Sequence, residues 1–255
     1  MSRFPTELRR WRTARRLSQL ELAIRAGTTQ RHVSFLEQGR SRPGRNVVIR
    51  LAESLGLTLR ERNELLLAAD FAPAFPESPL EDAALRPIRE ALGTILDGHL
   101  PYPAMVIRPH GILATANRAF ELFHEDVDPA LLAPPVNLFR LALHPDGLAG
   151  RVRNLAAWSR HITENLWAQL ARSPGPALDA LLAELEGYLP PLPPQDDVLG
   201  FAVPLELASA DGDLRLITTL TSFATAADVT LAELHLEAFL PADERTAAVL
   251  RRRWG

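Results

Sequence analysis

The sequence predicts two domains of different class. An all-α domain of five short helices is expected over residues 1–72, and an α+β domain, an antiparallel sheet with helices, over residues 81–255. In the first 70 residues, apolar positions recur at helical spacing between recognisable caps. Beyond residue 80, short apolar runs separated by turn residues alternate with helical stretches. Between the two lies Phe-Ala-Pro-Ala-Phe-Pro-Glu-Ser-Pro at 71–79, where three prolines remove backbone donors and exclude a continuous helix. Residues 73–80 are therefore read as a linker. The charge changes sign at the same place. Residues 1–70 hold 14 arginines against seven acids, and the remainder 14 arginines against 24, within an overall net of −3. A basic first segment on an acidic body suggests that one end meets a polyanion.

Within the first domain, Leu8, Trp11 and Leu17 belong to the first helix and its exit. Ser18-Gln-Leu-Glu21 is a capping box, with Leu22, Ala23 and Ala26 on the inner face of the helix it opens and Gly27 as its stop. Thr29 opens a third helix with Val33 and Leu36 inward and Gly39 beyond its end. Two short helices joined by a tight turn give helix-turn-helix geometry. Val48, Leu51, Ala52 and Leu55 mark a fourth helix. A second capping box, Thr58-Leu-Arg-Glu61, opens a fifth that carries Leu65, Leu66 and Ala69.

The run Leu-Ser-Gln-Leu-Glu-Leu-Ala-Ile-Arg-Ala-Gly-Thr-Thr-Gln (17–30), then Val-Ser-Phe-Leu-Glu-Gln-Gly-Arg (33–40) and Arg42-Pro43, resembles the lambda-repressor-like, XRE-type helix-turn-helix over about residues 3–70. Arg12, Gln19, Ala23, Gly27, Glu37, Gly39 and Pro43 keep that spacing together. The resemblance implies a DNA-binding domain with a double-stranded operator as partner. It also implies that Arg12 and Glu37 form a salt bridge inside the module. The N-terminal end of a recognition helix enters the major groove, so Thr29, Gln30, Arg31, Ser34 and Phe35 are the expected base-facing positions. Gln30 suits adenine and Arg31 guanine. Phe35 either presses on a thymine methyl or packs inward, and His32 either meets a phosphate or lies on the solvated side. Gln19, at a helix start, and Arg40, Arg42 and Arg45, in the loop that follows, are the expected phosphate contacts.

In the second domain, residues 80–98 keep helical period. Met105-Val106-Ile107 reads as a strand, Arg108 to Gly111 as a turn, and Ile112 to Thr115 as a returning strand. Asn117 to Phe123 resumes helical period, and residues 137–188 are read as mostly helix. Val198–Leu207 and Leu214–Phe223 are strand-like runs joined by Ser209-Ala-Asp-Gly-Asp213, a hairpin turn. Val229–Phe239 carries mixed apolar positions, and Pro190-Pro191-Leu192-Pro193-Pro194 reads as a stiff connector.

This order resembles a PAS-like fold. The segments 137–148, 218–223, 228–234 and 239–246 are similar to the MmyB-like transcription regulators. That resemblance implies a PAS-like ligand-binding domain and a fatty-acid-like ligand. A carboxylate in an apolar cavity needs a cation or donor at one end, so Arg118, Arg140 and His144 are the candidate head-group residues, and Phe139, Trp158 and Phe223 the candidate apolar lining. Each arginine has a competing reading as a surface residue paired with an acid, and each aromatic as core.

The chain is thus expected to be a ligand-responsive regulator, a homodimer on DNA that senses a small apolar acid. The alternative is a DNA-binding regulator whose second domain only dimerises or docks a protein partner. Without cysteine, thiolate catalysis and cysteine-ligated zinc are excluded. The seven histidines lack metal-binding spacing and no Gly-x-Ser-x-Gly motif occurs, so neither a metal, a cofactor nor an enzymatic activity is expected. No apolar run reaches about 20 residues and no secretory leader is recognised, so a cytoplasmic location without membrane contact is expected.

Overall fold

The structure, a computed structural model, describes residues 3–172, 175–189, 203–223 and 226–255. The described residues form two compact units, one of residues 3–80 with 226–232, the other of residues 81–223 with 233–255.

The helical unit contains α1 (Phe4–Ala14), α2 (Gln19–Arg25), α3 (Gln30–Glu37), α4 (Arg45–Ser54) and α5 (Leu59–Ala68). Both capping boxes form. The Ser18 and Thr58 hydroxyls accept from the Glu21 and Glu61 amides, while each glutamate accepts from its cap's own N–H. Gly27 has φ +61° between α2 and α3, a left-handed conformation that costs glycine nothing and lets the chain reverse at once. Phe4, Leu8, Trp11, Leu22, Val33, Leu36, Leu51 and Leu65 fill one core.

The proline-rich stretch after α5 is held to this unit by Asn63. Its side chain accepts from the Ala74 and Phe75 amides and donates to the Phe75 carbonyl. A second piece of chain, α10 (Val229–Ala232), packs against α5. Asp228 caps it, accepting from Thr230 N at 2.8 Å and from Ser78 N at 3.1 Å, and Val229 N donates to the Pro76 carbonyl.

The other unit is built on five antiparallel strands, β1 (Ala104–Arg108), β2 (Ile112–Ala116), β3 (Leu205–Leu207), β4 (Leu214–Ser222) and β5 (His235–Pro241), in the order β2-β1-β5-β4-β3. This is the expected PAS-like sheet with helices. The expected hairpin closes β3 to β4, with Gly212 at φ +99° in the turn. Helix α6 (Arg86–Gly98) precedes β1, α7 (Leu138–Leu143), α8 (Leu155–Arg172) and α9 (Pro176–Glu186) lie between β2 and β3, and α11 (Glu244–Trp254) follows β5.

One sheet face carries Met105, Ile107, Leu216 and Phe239 into a core with Phe120, Phe123, Trp158 and Trp254. Residues 118–124 form a 3-10 helix, with Ala119, Phe120, Leu122 and Phe123 buried. The tight strand-turn-strand at 108–112 depends on Gly111. Its φ is +77°, and a Cβ there would lie 2.4 Å from the Phe139 ring. The cluster Pro190–Pro194 and the start of the run Val198–Leu207 lie outside the described residues.

Candidate DNA-binding face and ligand-binding sheet

In the helical unit the polar groups sort by burial. The Arg12 guanidinium reaches Glu37 through two bonds of 2.6 and 3.0 Å and donates to the Leu17 carbonyl at 2.7 Å. Gln19 Nε2 donates to the same Glu37 oxygen at 2.8 Å. Burial alone would raise Glu37, but the hydrogen bonds from Arg12 and Gln19 outweigh it and hold the carboxyl below its usual range. The network ties α1, α2 and α3 together. It engages the Gln19 side chain inside the module.

The outer side of α3 is left free. Thr29 caps the helix through His32 N, and Gln30 and Arg31 are exposed at its first turn. The Arg31 guanidinium lies over the Phe35 ring at 5.1 Å, so Phe35 sits half-buried beneath a cation rather than in the core. Ser34 accepts from Gln38, which sequence reasoning passed over, and His32 Nδ1 contacts the Thr28 hydroxyl. Arg40 and Arg42 are exposed, whereas Arg45 donates to the Ala72 carbonyl at 3.0 Å. Gln30, Arg31, Ser34 and Phe35 thus share one helix, with Arg40 and Arg42 in the loop after it.

In the sheet unit the expected head-group residues are already partnered. Arg140 grips Glu184 bidentately, at 2.6 and 2.8 Å, and Tyr188 donates its hydroxyl to the same carboxylate. The Arg140 hydrogen bonds draw Glu184 down to about 2. His144 ends α7 in an extended conformation, so helical geometry does not carry it onto the Arg140 face. Its ring meets Tyr188 edge-on at 4.7 Å, and its Nδ1 accepts from Asp146 N. Arg118 donates to the Trp254 carbonyl at 2.7 Å. Phe139 is wedged against Gly111 and packs beside α9, Trp158 is buried in the main core, and Phe223 is half-buried just past β4. Arg140, His144 and Phe139 therefore share α7 and its surroundings, while Arg118, Trp158 and Phe223 lie on other elements.

The inner sheet face holds two polar groups that sequence reasoning missed. Thr218 on β4 keeps its hydroxyl buried without a hydrogen-bond partner among the described residues. Glu237 on β5 is pushed up to about 7 by burial. The one signal in the sequence is strand alternation, which places Glu237 on the same side as Phe239.

A family model described as the MmyB-like transcription regulator ligand binding domain matches residues 88–252, and one described as a helix-turn-helix domain matches residues 4–65. The chain belongs to the MmyB-like transcription regulators. No curated protein matches it. Helix-turn-helix and ligand-binding domain together make this MmyB-like chain a ligand-responsive, DNA-binding transcription regulator. Among the described residues, no helix is long and apolar enough to cross a membrane.

Proposed function

We propose a one-component regulator in which residues 1–72 bind a double-stranded operator and residues 81–255 sense a small apolar molecule with one polar end, in the cytoplasm and as a homodimer. The free polar face of α3, backed by the closed Arg12–Glu37–Gln19 network, carries the DNA half of this reading. Gln30 and Arg31 read base edges, Ser34 and Phe35 complete the face, and Arg40 and Arg42 hold phosphates. Arg45 joins them once released from Ala72. A single short helix buries little surface on a half-site, which is why two copies on an inverted repeat are expected.

The chain order supplies a route for the response. The connection between β4 and β5 contributes residues 226–232 to the helical unit, where Asp228 and α10 are fastened to residues 76–78 and α5. A ligand that alters the β4–β5 pair acts at the two roots of that segment, and the coupling must be reciprocal. A fatty acid is the ligand class that the family resemblance implies. Its carboxylate would have to displace Glu184 from Arg140.

The test has two arms. Mass spectrometry of small molecules extracted from the purified protein identifies the ligand, and selection from a random duplex pool identifies the operator. An apolar amphiphile in stoichiometric amount and an inverted-repeat sequence are expected. Empty protein from every growth condition, with an unchanged preference for DNA, would favour the docking alternative.

A further inference from the structure

Helix α1 carries Arg9, Arg10 and Arg12. Arg10 pairs with Glu7 at 2.7 Å and stacks over Trp11, and Arg12 is locked to Glu37. Arg9 is exposed, and among the described residues it has no ion pair and no side-chain hydrogen bond. Its neighbours on the helix show which way it faces. Pro5, Arg9 and Arg12 are four and three residues apart, so they share one side of α1. At one end of this row, Gly39, just past α3 at φ +69°, comes so close that a Cβ there would lie 3.7 Å from the Pro5 ring. At the other end, Arg12 holds Glu37, the last residue of α3. Arg9 lies between them, so it borders the end of α3 and the loop in which Arg40 follows Gly39 and Arg42 comes two residues later. Arg40 and Arg42 are also exposed without an ion pair among the described residues. Glu37, the acid this side of α1 meets, does not balance the three. Its side chain is 4% exposed and already accepts from Arg12 and Gln19. Like charges gathered at one corner repel, and nothing in the fold of the module offsets them there.

We propose that the DNA surface continues past α3 onto α1, where Arg9 clamps a backbone phosphate beside those held by Arg40 and Arg42. The proposal rests on the reading of α3 and its loop as the DNA face and extends that face by one element. A guanidinium presents a planar fork of donors that fits two phosphate oxygens at once, and a phosphate supplies the negative charge this corner lacks. A phosphate contact carries no base information, so Arg9 is a positioning residue and leaves sequence preference to Gln30 and Arg31. Arg12 ties α1 to the end of α3 through two bonds to Glu37. A clamp on α1 therefore acts on the angle at which α3 enters the groove. Arg10, engaged by Glu7 on another side of the same helix, has no such part.

Fluorescence anisotropy of the full chain on the selected operator and on a random duplex of equal length, from about 50 to about 200 mM salt, tests this. Arg9→Gln should weaken both duplexes by the same factor, about threefold to tenfold, and lower the slope of log affinity against log salt by about 0.9. Arg9→Lys keeps the charge, so it should keep the slope and recover most of the affinity. Arg10→Gln should leave the slope where it is. Arg9 is exposed and unpaired, so its variants are expected to melt with the wild type, as circular dichroism will report. An unchanged slope in Arg9→Gln overturns the clamp. An equal fall in Arg10→Gln overturns it too, because the effect would then be one of diffuse charge, and a shift in operator preference would make Arg9 a base reader instead. Arg40→Ala, measured alongside, separates the two levels. A slope that flattens there but not in Arg9→Gln removes Arg9 alone, and a slope unmoved in both removes the DNA face as read, and the clamp with it.

Discussion

The core of the helical unit and the inner face of the sheet treat buried polar groups in opposite ways. Glu37, at the end of α3, accepts three hydrogen bonds, two from Arg12 and one from Gln19. On the inner sheet face the Thr218 hydroxyl is buried with no hydrogen-bond partner among the described residues. Each donor and acceptor in that network completes another, so the network leaves the outer side of α3 available for other contacts. A closed network behind the reading helix and an unpaired group on the sheet fit the division of labour of a ligand-responsive regulator.

The contrast can be broken most forcefully at Glu37. Replacing it with alanine leaves the Arg12 guanidinium half-buried without its partner, and about 2–4 kcal/mol of stability should be lost from the helical unit. Urea unfolding followed by a probe in residues 3–70 checks this, and a loss under 1 kcal/mol would show that the network is not what fixes the module. The next effect belongs to the exposed face. Arg31→Ala should cost about 1–3 kcal/mol of operator affinity and relax one base position, whereas Arg40→Ala should weaken all sequences alike and flatten the salt dependence. Fluorescence anisotropy at several salt concentrations separates the two, and a reversed pattern would exchange their roles.

The sheet side predicts a pH dependence of the opposite sign to the usual carboxylate. An unfolded glutamate has its ordinary value near 4.5, while folded Glu237 is pushed up to about 7. Between these values the folded state keeps a proton that the unfolded state has released, so stability falls as pH rises from 4.5 to 7 and levels off above. The contribution is of order 2 kcal/mol, reduced by the group's remaining exposure. Glu237→Gln should remove this component, and thermal melts across that range will report it; an identical slope in the variant would place the titration elsewhere. The smallest effect sharpens the contrast best. Thr218→Val keeps the shape and removes an unpaired hydroxyl, so stability should hold or rise by up to about 1 kcal/mol, where removing a paired group would lower it. A loss above 1 kcal/mol would mean that the hydroxyl has a partner in solution.

How much of this was legible in the sequence follows the range of the interactions. The capping boxes at Ser18–Glu21 and Thr58–Glu61, the Gly27 reversal and the hairpin at Ser209–Asp213 are local, and local chemistry decides them. The polar face of α3 could be read the same way, from which side of a short helix lacks apolar residues. The helix α11 went unassigned although its start is local, since Asp243 caps it by accepting from Thr246 N. Residues 226–232 read as part of the second domain, yet long-range bonds from Pro76 and Ser78 draw them to the helical unit. Arg140 was singled out as a cation in a family motif, but its partner Glu184 lies 44 residues away and no spacing rule connects them. Glu237 was passed over because a lone acid in His-Leu-Glu-Ala-Phe carries no local signal of the burial that the neighbouring strands impose.

The central claim, that the sheet face and the DNA-reading helix are linked, is tested most directly by operator affinity with and without a ligand on that face. The dissociation constant for the selected inverted repeat should be measured for the full chain at zero and at saturating concentration of the molecule extracted from the purified protein, in the wild type and in Asp228→Ala, which frees residues 226–232 from Ser78. A change of at least fivefold in the wild type, about 1 kcal/mol of coupling, and none in the variant is the predicted result. The same dissociation constant at both concentrations in a wild type that calorimetry shows to be fully occupied would contradict the account.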